Sequence, residues 1–90
     1  MGKWADVGYT HLYGMGTERN TDKALECFRK GAETRDKQAC YAIYETWGDG
    51  VSLISQDEAM EMLKKAASLG HEKAVYILKQ NEDKEMQKHD

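Results

Sequence analysis

Cys27 and Cys40, with His11, His71 and His89, are the residues of this chain that could ligate a metal; Ser52, Ser55 and Ser68 are those that could act as nucleophiles. Zinc sites draw on Cys or His pairs a few residues apart, and no such pair occurs. Both cysteines are therefore expected as buried free thiols that pack as small hydrophobes. None of the serines sits in a nucleophile signature, and Ser55 stands three residues before Glu58, which is a capping-box pattern. Glu33, Glu58, Glu61 and Glu72 fall among lysines at helical surface spacing, which indicates solvated faces rather than a convergent acid–base pair. No catalytic residue, metal or cofactor is expected. The aromatic residues are more suggestive. Tyr9 and Tyr13 are four positions apart and Tyr44 and Trp47 three, so on helices each pair shares a face. Interfaces concentrate binding energy in Tyr and Trp, which makes these four the candidate partner-binding residues and the two pairs a candidate joined patch. In the competing reading Tyr13 and Trp47 plug a junction in the core.

Two glycine pairs could do a different job. Gly14-Met15-Gly16 and Gly48-Asp49-Gly50 would suit a phosphate loop only after a strand and within a longer glycine pattern, and neither is present. Gly14, Gly16, Gly48 and Gly50 are instead expected as turn residues, because glycine reaches positive φ without a Cβ penalty. The two pairs also mark a repeat. "YGMGTERNTDKALECFRKGAE" and "WGDGVSLISQDEAMEMLKKAA" both open on an aromatic and a Gly-x-Gly, cross a polar gap and enter an apolar pattern. Ala5, Ala39 and Ala74 align in the same frame, as do Tyr41 and Tyr76, so a third copy begins and stops halfway.

The apolar spacing inside each copy is helical: Ala24, Leu25, Phe28 and Ala32 share one face, as do Ala59, Met60, Leu63 and Ala67. Ser55, Asn20 or Thr21, and Asp36 can cap helix starts, and Gly70 suits a left-handed helix end. Five helices are predicted, at about 3–13, 22–33, 37–47, 56–69 and 72–84. A period of this length signals stacked helix pairs, hence an all-α fold, a short α-solenoid of about two and a half helix-turn-helix repeats. One domain, 1–90, would hold repeat 1 at about 3–35, repeat 2 at about 36–70 and a half repeat or capping helix at about 71–90. In that last helix Tyr76, Ile77 and Leu78 have no following helix to cover them, so a homo-oligomer through the 72–84 helix is a further expectation. The segment from Lys79, with Met86 its one large apolar residue, reads as a solvated helix extension.

Composition narrows the partners. The net charge of −3 comes from 13 basic and 16 acidic residues mixed along the chain, so no basic stripe suggests nucleic acid. No apolar run is long enough for a membrane span, and "MGKWADVGYTHLYG" lacks the apolar core of a signal peptide. Met1-Gly2 could open a myristoylation motif, but Asp6 stands where Ser or Thr is required. A cytoplasmic location with reduced thiols is expected.

With "VGYTHLYGMGT", "DKALECFRKGA", "WGDGV" and "DEAMEMLKKAASLG" in place, nearly the whole chain resembles the Sel-1-like repeat family, a relative of tetratricopeptide repeats. Trp4, Val7, Gly8 and His11, with Ala24 and Phe28, also fit the tetratricopeptide pattern. The longer Gly-x-Gly connection and the absence of Pro favour the Sel-1-like reading. The resemblance implies right-handed superhelical stacking and a non-enzymatic adaptor or scaffold that holds a protein or peptide on its curved helical surface. A small dedicated inhibitor or immunity-type protein is the alternative. A further one is a β-lactam-type binding enzyme of the secreted cysteine-rich branch, whose inter-helix disulfide would need Ala67 to be a cysteine paired with Cys40. The family's Leu-Gly reads Val7-Gly8 in the first copy and Ile43-Tyr44 in the second, where a tyrosine would deny the second helix pair its close approach.

Overall fold

Helix starts in this chain are set by short polar side chains that accept from first-turn N–H groups. Asn20 Oδ1 accepts from the Lys23 N–H at 3.1 Å, Asp36 Oδ1 from Gln38 at 3.0 Å and Ala39 at 3.3 Å, and Ser55 Oγ from Glu58 at 3.1 Å. A computed structural model describes the backbone of residues 3–88 and the side chains through residue 81. His89, the Met1-Gly2 start and the Met86 side chain lie outside the described residues. The five helices are α1 (Lys3–Tyr13), α2 (Thr21–Glu33), α3 (Lys37–Gly48), α4 (Gln56–Ser68) and α5 (Glu72–Lys88). Each packs on the next in order, and α1 also touches α3, so the molecule is a short all-helical solenoid of 51 × 26 × 18 Å.

Three local expectations need correction. The capping box at Ser55 is only half formed, because the Glu58 carboxylate turns away to take both its hydrogen bonds from Arg29 of α2, at 2.9 and 3.0 Å. That pair ties α2 to α4 across the surface and contributes about 1 kcal/mol or less at this exposure. Gly48 is not a turn residue: it closes α3, and positive φ falls on Gly14, Gly16 and Gly50 instead. The two helices stop on different glycines. After α1 the left-handed residue is Gly14 (φ 68), with the Met15 N–H reaching the Thr10 carbonyl at 3.0 Å. After α3 it is Gly50 (φ 95), whose N–H reaches Trp47, so the left-handed residue falls two positions further along the repeat and α3 itself runs one residue longer than α1 does.

The third correction concerns the thiols and the stripe beside them. Cys40 is fully buried and burial pushes its thiol up, whereas Cys27 is only half-buried; both are free. Met60 is likewise half-buried, while Leu25, Phe28 and Leu63 form the core as their spacing requires.

The α2 and α4 ends share one device. After α4 the N–H groups of Gly70 and His71 bond Ala67 and Ala66, and after α2 those of Arg35 and Asp36 bond Ala32 and Gly31: two Schellman ends one repeat apart. The left-handed residue is glycine in one (Gly70, φ 92) and arginine in the other (Arg35, φ 63). A side chain in that region is strained by roughly 1–2 kcal/mol, partly offset by the entropy glycine would lose on folding. Arg35→Gly is therefore expected to raise the unfolding free energy by about 0.5–1 kcal/mol, read as an increased urea midpoint with unchanged slope.

Close approach of the helices rests on two other glycines. A Cβ on Gly8 would run into the ring of Phe28, and one on Gly31 would lie 2.5 Å from the Ala39 Cβ and 2.9 Å from that of Trp4. In the second repeat the position one period after Gly8 is Ala42, fully buried, and the one after Phe28 is Leu63. Ala42, rather than Tyr44, is thus the small residue at the position equivalent to Gly8. Tyr44 sits partly buried at the side of the core, and α3 packs on α4.

Candidate functional site

The first helices of the two helix pairs, α1 and α3, and the start of α5 after them border a shared groove. Tyr9 and Tyr13 come from α1, Lys37, Gln38, Tyr41 and Glu45 from α3, and His71 with the first turn of α5 closes the end, around a cavity of about 540 Å³. The α3 set follows from helical spacing: Gln38, Tyr41 and Glu45 recur every three or four residues and so form one stripe.

A single line of hydrogen bonds crosses this groove. The Ala74 N–H donates to His71 Nδ1 at 3.4 Å, leaving the other ring nitrogen, Nε2, to carry the proton and donate to Gln38 Oε1 at 2.9 Å. Gln38 Nε2 then donates to the Tyr9 hydroxyl at 2.8 Å, and that hydroxyl donates to Glu45 Oε1 at 2.9 Å. His71 is thereby the cap of α5 and the origin of the line. Its surroundings oppose a charge on it: burial, then the Lys37 ammonium, hold His71 below the ordinary histidine range. Burial, with the Glu45 carboxylate beside it, pushes the Tyr9 phenol above the ordinary tyrosine range.

The rings form two ladders on either side of this line. Tyr13, 61 % exposed, stacks parallel on Tyr9 with centroids 6.0 Å apart, and Tyr9 meets the buried Phe28 edge-on at 5.2 Å. On the other side His71 stacks on Tyr41 at 4.3 Å, followed by Tyr44 at 6.1 Å and Trp47 at 5.9 Å. Of the four expected partner-binding residues, Tyr9 and Tyr13 line the groove and Tyr44 and Trp47 do not. The reason is angular. Tyr44 and Trp47 stand about 60° and 120° round the helix from Tyr41, which carries them to the flank, where they pack partly buried against the core. A patch joining both aromatic pairs is therefore not formed, since no ring of the first ladder contacts one of the second among the described residues.

A second concavity of about 770 Å³ adjoins the groove at Lys37 and Gln38 and is lined by Trp4, the α2–α3 turn and Leu69. Trp4 receives the Lys30 ammonium at 5.4 Å from its ring centre, so its face is already engaged.

Residues 5–33 and 38–71 each match the sequence model of the Sel1 repeat. The chain belongs to the Sel1 repeat family. Comparison with curated proteins and with solved structures gives no match. Sel1 repeats are generally protein–protein interaction modules and typically not enzymes. The first Sel1 repeat holds α1 and α2, and the second holds α3 and α4 and ends on His71, so the groove spans the junction between repeats. Among the described residues no helix is long and apolar enough to cross a membrane.

Gln38, Tyr41, Glu45 and His71 were not among the expected site residues, and His71 had drawn notice only as a metal ligand. One signal for them was present: a Gln-x-x-Tyr-x-x-x-Glu stripe on the helix that must face Tyr9 and Tyr13. Beyond the groove, Val75 and Tyr76 of α5 are 38 % and 65 % exposed, where Cys40 and Tyr41 one period earlier are 0 % and 8 % exposed.

Proposed function

We propose that the chain is a non-enzymatic adaptor that holds an extended peptide segment of a partner protein in the groove between α1, α3 and α5. The observation that carries this reading is the exposed Tyr13 ring stacked on a Tyr9 whose hydroxyl is held on both sides, which offers a rigid aromatic wall beside a row of fixed polar groups. Aromatic side chains held rigid lose little entropy on binding and supply large contact areas. Tyr hydroxyl, amide and carboxylate groups together suit a peptide backbone, which brings both donors and acceptors. Mixed charge at the groove mouth, Lys37 and Lys73 beside Glu45 and Glu72, fits a protein segment better than a polyanion.

The test is selection from a random peptide library displayed on phage, using the full chain as bait at pH 7.5. Tyr13→Ala, a change at an exposed ring, should alter stability by less than about 0.5 kcal/mol and weaken a selected peptide by about tenfold or more. Peptides that bind the variant as tightly as the parent would overturn the assignment of this groove.

A further inference from the structure

We infer that the groove is a proton-gated binding site, open for its peptide while His71 is neutral and dismantled when His71 takes up a proton. The inference rests on the binding reading above and adds its regulation. Every bond in the line from Ala74 to Glu45 points the same way, and the direction is set at His71, where Nδ1 must accept because the group facing it is a backbone N–H.

Protonation puts a hydrogen on Nδ1 and sets two donors against each other at the Ala74 N–H. The ring has to leave that position, and two further contacts go with it: its stack on Tyr41 at 4.3 Å and its bond to Gln38 at 2.9 Å. Gln38 then loses the partner that fixes its amide, and Tyr9 the donor that fixes its hydroxyl between Gln38 and Glu45. The ring on which Tyr13 stacks, Tyr9, belongs to the same line.

The charged and titratable groups around His71 are Lys37 and Glu45 with Tyr41 on α3, Glu72 and Lys73 on α5, and Tyr9 and Tyr13 across the groove on α1; Leu69 and Gly70, arriving from α4, add none. The two lysines oppose an imidazolium and the two glutamates favour it, as does the face of the Tyr41 ring. Burial first and Lys37 second prevail over the glutamates, so the folded chain takes this proton at a lower pH than the unfolded chain does. In sign, the neutral ring's contribution to stability is present in full above the unfolded histidine value of about 6.5 and is lost as the pH falls from there toward the folded value.

The experiment is a pH titration from 7.5 to 5 of the full chain by NMR, following the His71 ring nitrogens, the Gln38 side-chain amide and the Tyr9 ring. At pH 7.5 the proton should sit on Nε2, and the Gln38 and Tyr9 signals should move with the His71 midpoint while the helix backbone signals stay dispersed. His71→Asn, which keeps a capping oxygen for Ala74 but cannot reach Gln38, should leave Gln38 and Tyr9 without that titration. A proton on Nδ1 at pH 7.5, stationary Gln38 and Tyr9 signals, or unfolding of the whole chain at the same midpoint would each overturn the gate. A phage-selected peptide supplies the second arm. Its affinity should fall about tenfold or more between pH 7.5 and 5.5 for the parent and hold constant for His71→Asn. A chain that titrates as described but selects no peptide sinks the binding reading and leaves the coupled protonation intact, so the two failures are distinguishable.

Discussion

Gly8→Ala is expected to lower the unfolding free energy by about 1–3 kcal/mol, the range for forcing one more carbon into a filled core. The added Cβ would enter the space of the Phe28 ring, which is fully buried and touches Tyr9 edge-on, so it has nowhere to retreat. A domain of this size has roughly 5–10 kcal/mol in all, so the loss is a large fraction of its stability. The second repeat suggests the remedy. There the equivalent pair is Ala42 with Leu63, both fully buried, a larger residue on the first helix and a smaller one on the second. Phe28→Leu alone should cost about 1–1.5 kcal/mol through the void it leaves. The double variant Gly8→Ala with Phe28→Leu should cost less than the sum by about 1 kcal/mol or more, because each change makes room for the other. Urea unfolding of the four proteins closes the cycle, and strictly additive losses would refute a Gly8–Phe28 contact as the determinant of the α1–α2 distance.

Gly31→Ala should be as costly and should also reach the groove. The obstructing atoms here are the Cβ atoms of Ala39 and Trp4, at 2.5 and 2.9 Å, which are fixed to the backbones of α3 and α1 and cannot rotate away. Either helix must shift, and they are the two helices that Tyr9 and Gln38 bridge. The expected result is a loss of about 1–3 kcal/mol, with the Tyr9 and Gln38 side-chain signals displaced in whatever fraction still folds. Ala39→Gly, which removes the nearer obstacle, should restore part of the stability. No restoration would mean that α1, at Trp4, is the element under strain.

How far the sequence shows this molecule depends on the range of the interactions involved. Helix starts at Asn20, Asp36 and Ser55 are settled by bonds spanning two or three residues, and they can be read directly from the chain. The end of α3 is less legible. Gly48 looks like the left-handed stop, yet it is the last helical residue of α3, and the left-handed position falls on Gly50 instead. The Ile43-Tyr44 departure is hard to read for a related reason: the residue that must be small is decided by what packs opposite, and the buried small residue one period after Gly8 is Ala42. Tyr9 and Tyr13 could be named from their spacing on one helix. Their partners could not, since the bonds from Tyr9 to Glu45 and to Gln38 cross 36 and 29 positions and depend on how α1 lies on α3. His71 gave the weakest signal. Its role comes from closing one helix end and capping the next, which shows only once the Gly70 turn is in place.

The most direct test of the groove as the binding surface is chemical-shift mapping of a phage-selected peptide on the isotope-labelled full chain at pH 7.5. The largest perturbations should fall on Tyr9, Tyr13, Gln38, Tyr41, Glu45 and His71, with the opposite surface around Arg29 and Glu58 unchanged. Perturbations centred on that α2–α4 surface, with the Tyr9 and Gln38 signals in place, would contradict the account.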